Sequence, residues 1–387
     1  MLLTASRIHN GYKWLPEGTV IETEDNGSIK AIHPKDSITG ATHYEGVLAP
    51  GFVNAHCHLE LSHMKGVIPE HTGLIAFLQT VMFRRNGFTD EQKYEARRRE
   101  FETMLANGIV AVGDICNTND TLEERASGKM HFHSFVEALG FNEAPQKQFD
   151  YALSVEENFA AQSASEKLLR QSIVPHAPYS VSHVLFSLID KHNKTALLSI
   201  HNQECRDEDE YYLLKQGGVQ TLLKSIGIND DFFKPSGKSS IQTYLEWLSP
   251  SHPFLFIHNT YTQENDVQVV QTLLPNVHWC LCPNANVYIE NTLPDIDMLM
   301  RNKANICIGT DSLSSNHQLC ILSELYSIHQ HLPHICWEQL LNWATANGAA
   351  ALQMQDVVGS FEPGKQPGIV HIQGLDGDAK PTVSRII

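Results

Sequence analysis

Several things are scarce or missing in this chain, and each gap removes a class of protein. Its 387 residues hold no apolar run approaching the ~18 that a membrane span needs. The opening Met1-Leu2-Leu3-Thr4-Ala5-Ser6-Arg7 does not build the apolar stretch and cleavage site of a secretory signal, so a cytoplasmic protein off the membrane is expected. Basic residues are few: 28 Lys and Arg against 44 Asp and Glu leave a net charge of −16, the wrong sign for a nucleic-acid partner. The 8 cysteines include no Cys-X-X-Cys pair, which argues against a zinc ribbon and for reduced thiols. No Gly-X-Gly-X-X-Gly turn, low-complexity tract or solenoid-type repeat is present.

What is there is a succession of short apolar runs separated by helical or loop sequence. They occupy 47–58, 109–114, 131–136, 173–176, 196–201, 254–258, 277–282 and 304–311. Near-continuous apolar strands alternating with helices predict a parallel sheet covered on both faces, and eight such units match a (β/α)8 barrel. Polar residues fall at the C-terminal end of each run, where barrel enzymes carry their chemistry. Residues 1–48 read instead as short strands with a hairpin turn at Asp25-Asn26-Gly27. With the strand-like tail in 353–387 they are expected to form one small β-sandwich beside a catalytic domain at 49–352. An insertion at about 207–250 carries Tyr211, Tyr212, Phe232, Phe233, Tyr244 and Trp247, which either pack its helices or stack on a ring-shaped ligand.

The densest signal is Ala49-Pro50-Gly51-Phe52-Val53-Asn54-Ala55-His56-Cys57-His58-Leu59-Glu60. Residues i and i+2 of a strand share a face, so His56 and His58 point the same way and Cys57 points behind them. Spacing alone is weak: with 21 histidines about one His-X-His arises by chance, and His131/His133 and His329/His331 repeat it. Downstream, His201, His258 and Asp311 also sit at the polar ends of apolar runs. A lone strand-end His is usually just a satisfied polar residue, and Asp311 in Gly309-Thr310-Asp311-Ser312 reads equally as a helix N-cap. Their co-occurrence points to a divalent-metal site.

The order Pro-Gly-Phe-X-Asn-X-His-X-His, then His-X-X-Glu, then His, then Gly-Thr-Asp-Ser resembles the amidohydrolase superfamily over nearly the whole chain. The resemblance is strongest to the branch of cytosine, guanine and adenosine-type deaminases and triazine hydrolases. It implies a (β/α)8 barrel with a β-sandwich built from both termini. It also implies His56, His58, His201 and Asp311 as ligands of one divalent metal, zinc first, with Fe2+ and Mn2+ also suited. Binuclear relatives carry a carboxylated lysine at the fourth strand, whereas this strand ends Val174-Pro175-His176-Ala177-Pro178. In that branch the position of Glu204 protonates a ring nitrogen of the substrate, His258 hydrogen-bonds the attacking water or developing oxyanion, and Asp311 accepts the water proton.

Leu59-Glu60-Leu61-Ser62 is similar to relatives acting on aminodeoxyfutalosine, and His176-Ala177-Pro178-Tyr179 to a substrate-contact segment of adenosine-type deaminases. Glu60, His176, Asn117 and Asn286 are accordingly the expected substrate contacts, with Glu137 also at a strand end. The chain departs from the family pattern at Cys282-Pro283-Asn284-Ala285-Asn286-Val287, at Ser314-Ser315-Asn316-His317 and at Gly368, none of which touches the ligand set. The expected activity is metal-dependent hydrolytic deamination of an amino-substituted N-heterocycle, an adenine nucleoside-like compound such as aminodeoxyfutalosine. The alternatives are removal of chloride or an alkylamine from a triazine-like ring, and a non-catalytic metal-binding barrel. The only partner implied is the small heterocycle, although barrels of this size often pair as homodimers.

Overall fold

Two parallel sheets carry the strands expected from the apolar runs. The computed structural model describes residues 1–162, 167–377 and 379–387. The N-terminal strands are β1 (Leu2–Ile8), β2 (Val20–Thr23), β3 (Ile29–His33) and β4 (Thr42–Pro50). There follow β5 (Phe52–Cys57), β6 (Ile109–Cys116), β7 (His131–Ala138) and β8 (Leu169–Pro175). The second set is β9 (Leu198–Asn202), β10 (Phe254–His258), β11 (Val277–Leu281) and β12 (Ile306–Ile308), and the tail adds β13 (Ile369–Gln373) and β14 (Thr382–Arg385). Strands β5-β6-β7-β8 form one four-stranded sheet and β9-β10-β11-β12 another, each in sequence order with parallel neighbours.

Every residue of β6 and β7 is buried, as strands covered on both faces require. The covering helices turn one stripe inward: in Gln146–Ala160 it is Phe149, Ala152, Val155 and Phe159, at the three- and four-residue spacing of a helix face. Helix Asp90–Ala106 starts on a reciprocal cap between Thr89 and Gln92 and buries Phe101, Met104 and Leu105.

The two sheets meet at two seams, and both seams run through site residues. At one, the backbone N–H groups of Thr310 and Asp311 donate to the carbonyl of His56 at 2.9 and 3.1 Å. At the other, His201 N–H donates to the His176 carbonyl at 3.0 Å. Gly309 lets the first seam close, because a Cβ there would lie 2.8 Å from both Cβ and O of His56. Gly309→Ala must displace the His56 strand, at a cost of about 1–3 kcal/mol. It is expected to lower both the melting temperature and the metal retained after dialysis.

The chain ends meet in a six-stranded sheet ordered β14-β13-β4-β1-β2-β3, in which β4 runs parallel to β1 and antiparallel to β13. β4 continues to Pro50, two residues past the boundary expected from sequence. The insertion forms helices Arg206–Leu214, Gly218–Ser225 and Ser240–Tyr244. Its aromatics mostly pack rather than stand free: Tyr211 stacks on Phe233 at 4.7 Å and Tyr244 on Phe186 of the preceding helix at 5.7 Å, while Phe232 faces a cavity. No helix among the described residues is long and apolar enough to cross a membrane.

Candidate active site

The C-terminal ends of the parallel strands deliver five side chains to one place. His56 ends β5 with His58 just beyond it, His201 lies in β9, His258 ends β10, and Asp311 follows β12. Three of these ends turn through left-handed backbone: Gln203 at φ 45°, His258 and Asn259 at 69° and 58°, and Asp311 at 55°. Such conformations cost free energy in non-glycine residues and persist where surrounding bonds over-determine them. Here those bonds are present. Asn54 donates to Thr310 Oγ1 at 2.8 Å and accepts from Thr310 N at 3.1 Å. Gln203 gives its amide to Asp209 and Asp266 at 2.8 and 2.9 Å, and its backbone N–H to Glu208 Oε1 at 2.9 Å.

The donor atoms are spaced as if around a common centre. His58 Nε2 lies 3.2 Å from His201 Nε2 and 3.3 Å from Asp311 Oδ1, and His56 Nε2 lies 3.4 Å from the same oxygen. Four ligands at 2.0–2.1 Å in a tetrahedron lie about 3.3 Å apart, so this set fits a divalent ion such as zinc. His201 Nδ1 donates to the His176 carbonyl at 2.8 Å, which fixes its tautomer and leaves Nε2 as a lone-pair donor. Both ring nitrogens of His56 are buried without a hydrogen-bond partner, a costly state unless something binds there. His258 contributes a further nitrogen, since it, His56, His201 and Asp311 offer atoms all within 4.8 Å of one another.

Electrostatics sort the groups into roles. Burial lowers His56, His58, His201 and His258 below the usual imidazole range, outweighing the opposing pull of Asp311 on the last three, so all four are neutral ligands or acceptors at pH 7. Burial alone would raise Asp311, but His58, His258, the Ser315 hydroxyl on its Oδ2 and His201 together bring it below the usual range. Glu204 goes the other way. Burial first, then Asp311, Glu208 and Glu290, push it well above the usual carboxylate range, and its Oε1 lies 3.5 Å from His258 Nε2. The centre thus pairs an Asp311 carboxyl held below its usual range with a Glu204 carboxyl held above it.

His58, His201, Glu204, His258 and Asp311 line a cavity of about 950 Å3, and His56 is fully buried beside them. His176 and Asn117 line its wall with Glu137 and Arg85, and Phe77, Val81, Leu222 and Phe232 make the outer part apolar. Glu60 and Asn286 do not line it. Both Glu60 oxygens are occupied, one by Arg85 at 2.9 Å and the other by the N–H groups of Asn117 and Thr118 and the Thr118 hydroxyl. Asn286 gives its amide to Thr260 Oγ1 at 2.5 Å and is buried. His317 lies out in solvent, 3.3 Å from Glu70. Sequence reasoning missed Glu208, whose buried carboxyl also takes the Ser240 hydroxyl, and Ser315, which holds Asp311. An acidic run and a serine pair carry no pattern that singles either out.

The chain is 24% identical over 352 residues to an adenosine deaminase of Helicobacter pylori, covering 90% of this chain and 83% of that one. It is 25% identical over 283 residues to the aminodeoxyfutalosine deaminase of Nitratiruptor sp., covering 72% and 66%. The crystal structure of Helicobacter pylori aminofutalosine deaminase in complex with methylthio-coformycin superposes with a TM-score of 0.84 at 20% identity, over 100% of both chains, and shares the fold. The model of the amidohydrolase family matches residues 47–384, so this protein, with its His and Asp cluster at the ends of parallel strands, belongs to the amidohydrolase family.

Proposed function

We propose that the protein is a metal-dependent hydrolytic deaminase acting on a cyclic amidine, an adenine nucleoside-like compound of the aminodeoxyfutalosine kind. The observation that carries this reading is the juxtaposition, in one cavity, of the buried Glu204 carboxyl with His58, His201, His258 and Asp311. The relatives acting on adenosine and aminodeoxyfutalosine support it. Release of ammonia requires a proton at the ring nitrogen to make the amino-bearing carbon electrophilic, and a second proton on the departing amine. A carboxyl that burial holds protonated beyond the usual carboxylate range meets the first need.

His56, His58, His201 and Asp311 would hold one zinc ion, which when bound supplies an acidified water and polarises the centre. A second ion at Glu137, His176 and His201 would need His201 Nδ1, whose proton is given to the His176 carbonyl. Glu204 delivers its proton to the ring nitrogen, Asp311 takes a proton from the attacking water, and His258 hydrogen-bonds the oxygen as it adds. The carbon–nitrogen bond breaks as the departing amine takes the proton held by Asp311 and leaves as ammonia, while the hydroxyl proton of the adduct returns to Glu204, so that the ring keeps the oxygen as a carbonyl. Asn117 and His176 line the path of the substrate, and Glu60 shapes it indirectly, by holding the loop that carries Asn117.

The two parallel sheets are, in this reading, halves of a (β/α)8 barrel spanning 49–352, with the six-stranded terminal sheet as its β-sandwich partner and the cytoplasm as its place. Incubation of the zinc-loaded protein with adenosine, 5′-substituted adenine nucleosides, guanine and a chlorotriazine tests the activity. Ammonia from the adenine nucleosides is the expected result. Ammonia from guanine alone, or chloride from the triazine, would overturn the substrate class.

A further inference from the structure

The short insertion helix Ser240–Tyr244 contributes no side chain to the cavity, yet its polar groups converge on the turn that carries Glu204. That turn leaves β9 at Asn202 and passes through Gln203 in left-handed backbone, at φ 45°. Gln203 N–H donates to Glu208 Oε1 at 2.9 Å, and its carbonyl accepts Tyr261 N–H at 2.9 Å. The helix closes on the same acceptors from the other side. Ser240 Oγ donates to Glu208 Oε1 at 2.5 Å, and Ser240 N–H to Asp209 Oδ1 at 2.7 Å. Ser239 Oγ and Gln242 Nε2 donate to Asp266 Oδ1 at 2.6 and 2.7 Å, while Gln203 takes the other oxygen of that carboxyl. At the far end, Tyr244 Oη donates to Asn202 Oδ1 at 2.8 Å, and Asn202 Nδ2 donates to Asn259 Oδ1, beside His258, at 3.1 Å.

The Glu204 carboxyl has no such restraint of its own. Among the described residues no hydrogen bond reaches it, and it stands 3.5 Å from His258 Nε2. Its aim therefore depends on the backbone of the turn. Buried hydrogen bonds add little net stability, because folding exchanges them for bonds to water, but they define a single geometry. Resting on the deaminase reading, we propose that Glu208 and Ser240 are positioning residues for the general acid, through which the insertion fixes the turn that aims Glu204. Glu208 does this as an acceptor through one oxygen. Oε1 takes the bonds from both Gln203 and Ser240, and Oε2 is buried without a partner. A glutamine amide can offer the same oxygen, and an alanine cannot.

The test is a double-mutant cycle on zinc-loaded protein, with the adenine nucleoside that the unmodified protein turns over fastest. Ammonia release gives kcat and KM, and elemental analysis gives zinc content. Ser240→Ala is expected to lower kcat about 3- to 10-fold and Glu208→Ala about 10- to 100-fold, because a misplaced acid slows the chemical step. KM and zinc content should stay close to native in both. Glu208→Gln should recover most of the loss seen in Glu208→Ala. In a Glu204→Gln background, Ser240→Ala and Glu208→Ala should cost almost nothing further, since residues that act through one group are not additive.

Losses that persist undiminished in the Glu204→Gln background would overturn the proposal, as would losses that come only as lower zinc content or higher KM. A Glu208→Gln as slow as Glu208→Ala would overturn the assignment to one acceptor oxygen. If Glu208→Ala does not fold, Ser240→Ala, which leaves the Glu208 bond to Gln203 in place, carries the same cycle. Failure of the deaminase reading is separately visible, as no ammonia from the unmodified protein with any nucleoside, and the proposal falls with it.

Discussion

Glu204→Gln is expected to keep a full complement of metal and lose about 10²- to 10⁴-fold in kcat, the range for removing a positioned general acid. The amide fills the same volume 3.5 Å from His258 and carries no proton to give to a ring nitrogen. Burial and the nearby Asp311, Glu208 and Glu290 hold the native carboxyl protonated above the range where an exposed glutamate ionises. The sign of the pH dependence follows. The active form is the protonated one, so rate persists where an ordinary carboxylate would be ionised and is lost as pH rises through the raised pKa. The variant should lose that descending limb. Metal analysis and a pH–rate profile of both proteins check this; near-native turnover in the variant would remove Glu204 from the chemistry.

His201→Ala is expected to have the other large effect, with metal falling from about one ion per chain to near none and activity falling with it. The imidazole stands at the crossing of the site: Nε2 is 3.2 Å from His58 Nε2, and Nδ1 is tied to the His176 carbonyl across the seam between the two sheets. Its loss leaves His56, already without hydrogen-bond partners at either nitrogen, facing a void. Because an ion that binds only the folded chain stabilises it by mass action, the variant should also lose the rise in melting temperature that added zinc gives the unmodified protein. Elemental analysis and melting curves with and without zinc read both effects. A variant that keeps its metal would show that His201 is no ligand.

The parts legible in the sequence are those that depend on strand periodicity. His56 and His58 share a face because residues i and i+2 must, and His201, His258 and Asp311 end apolar runs that become β9, β10 and the turn after β12. Asn54 could be quoted as a motif residue, but its task of pinning Thr310 256 positions away belongs to the tertiary structure. The carboxylates show where local pattern stops. Glu204 and Glu208 lie in one acidic run, and each is buried for a different reason: Glu204 faces the cavity, while Glu208 holds the turn that aims it. Glu60 follows the metal pair directly and still spends its oxygens on Arg85, Asn117 and Thr118. Which oxygen of a carboxyl stays free is decided by neighbours that only the fold supplies.

The most direct test of a single-metal deaminase is to measure zinc content and adenine-to-hypoxanthine conversion on the same preparations, from fully stripped to fully reloaded. Turnover of an adenine nucleoside that rises in proportion to zinc and levels off at about one ion per chain is the expected result. Conversion that is undiminished in the stripped protein, or absent in the fully loaded one, would contradict it.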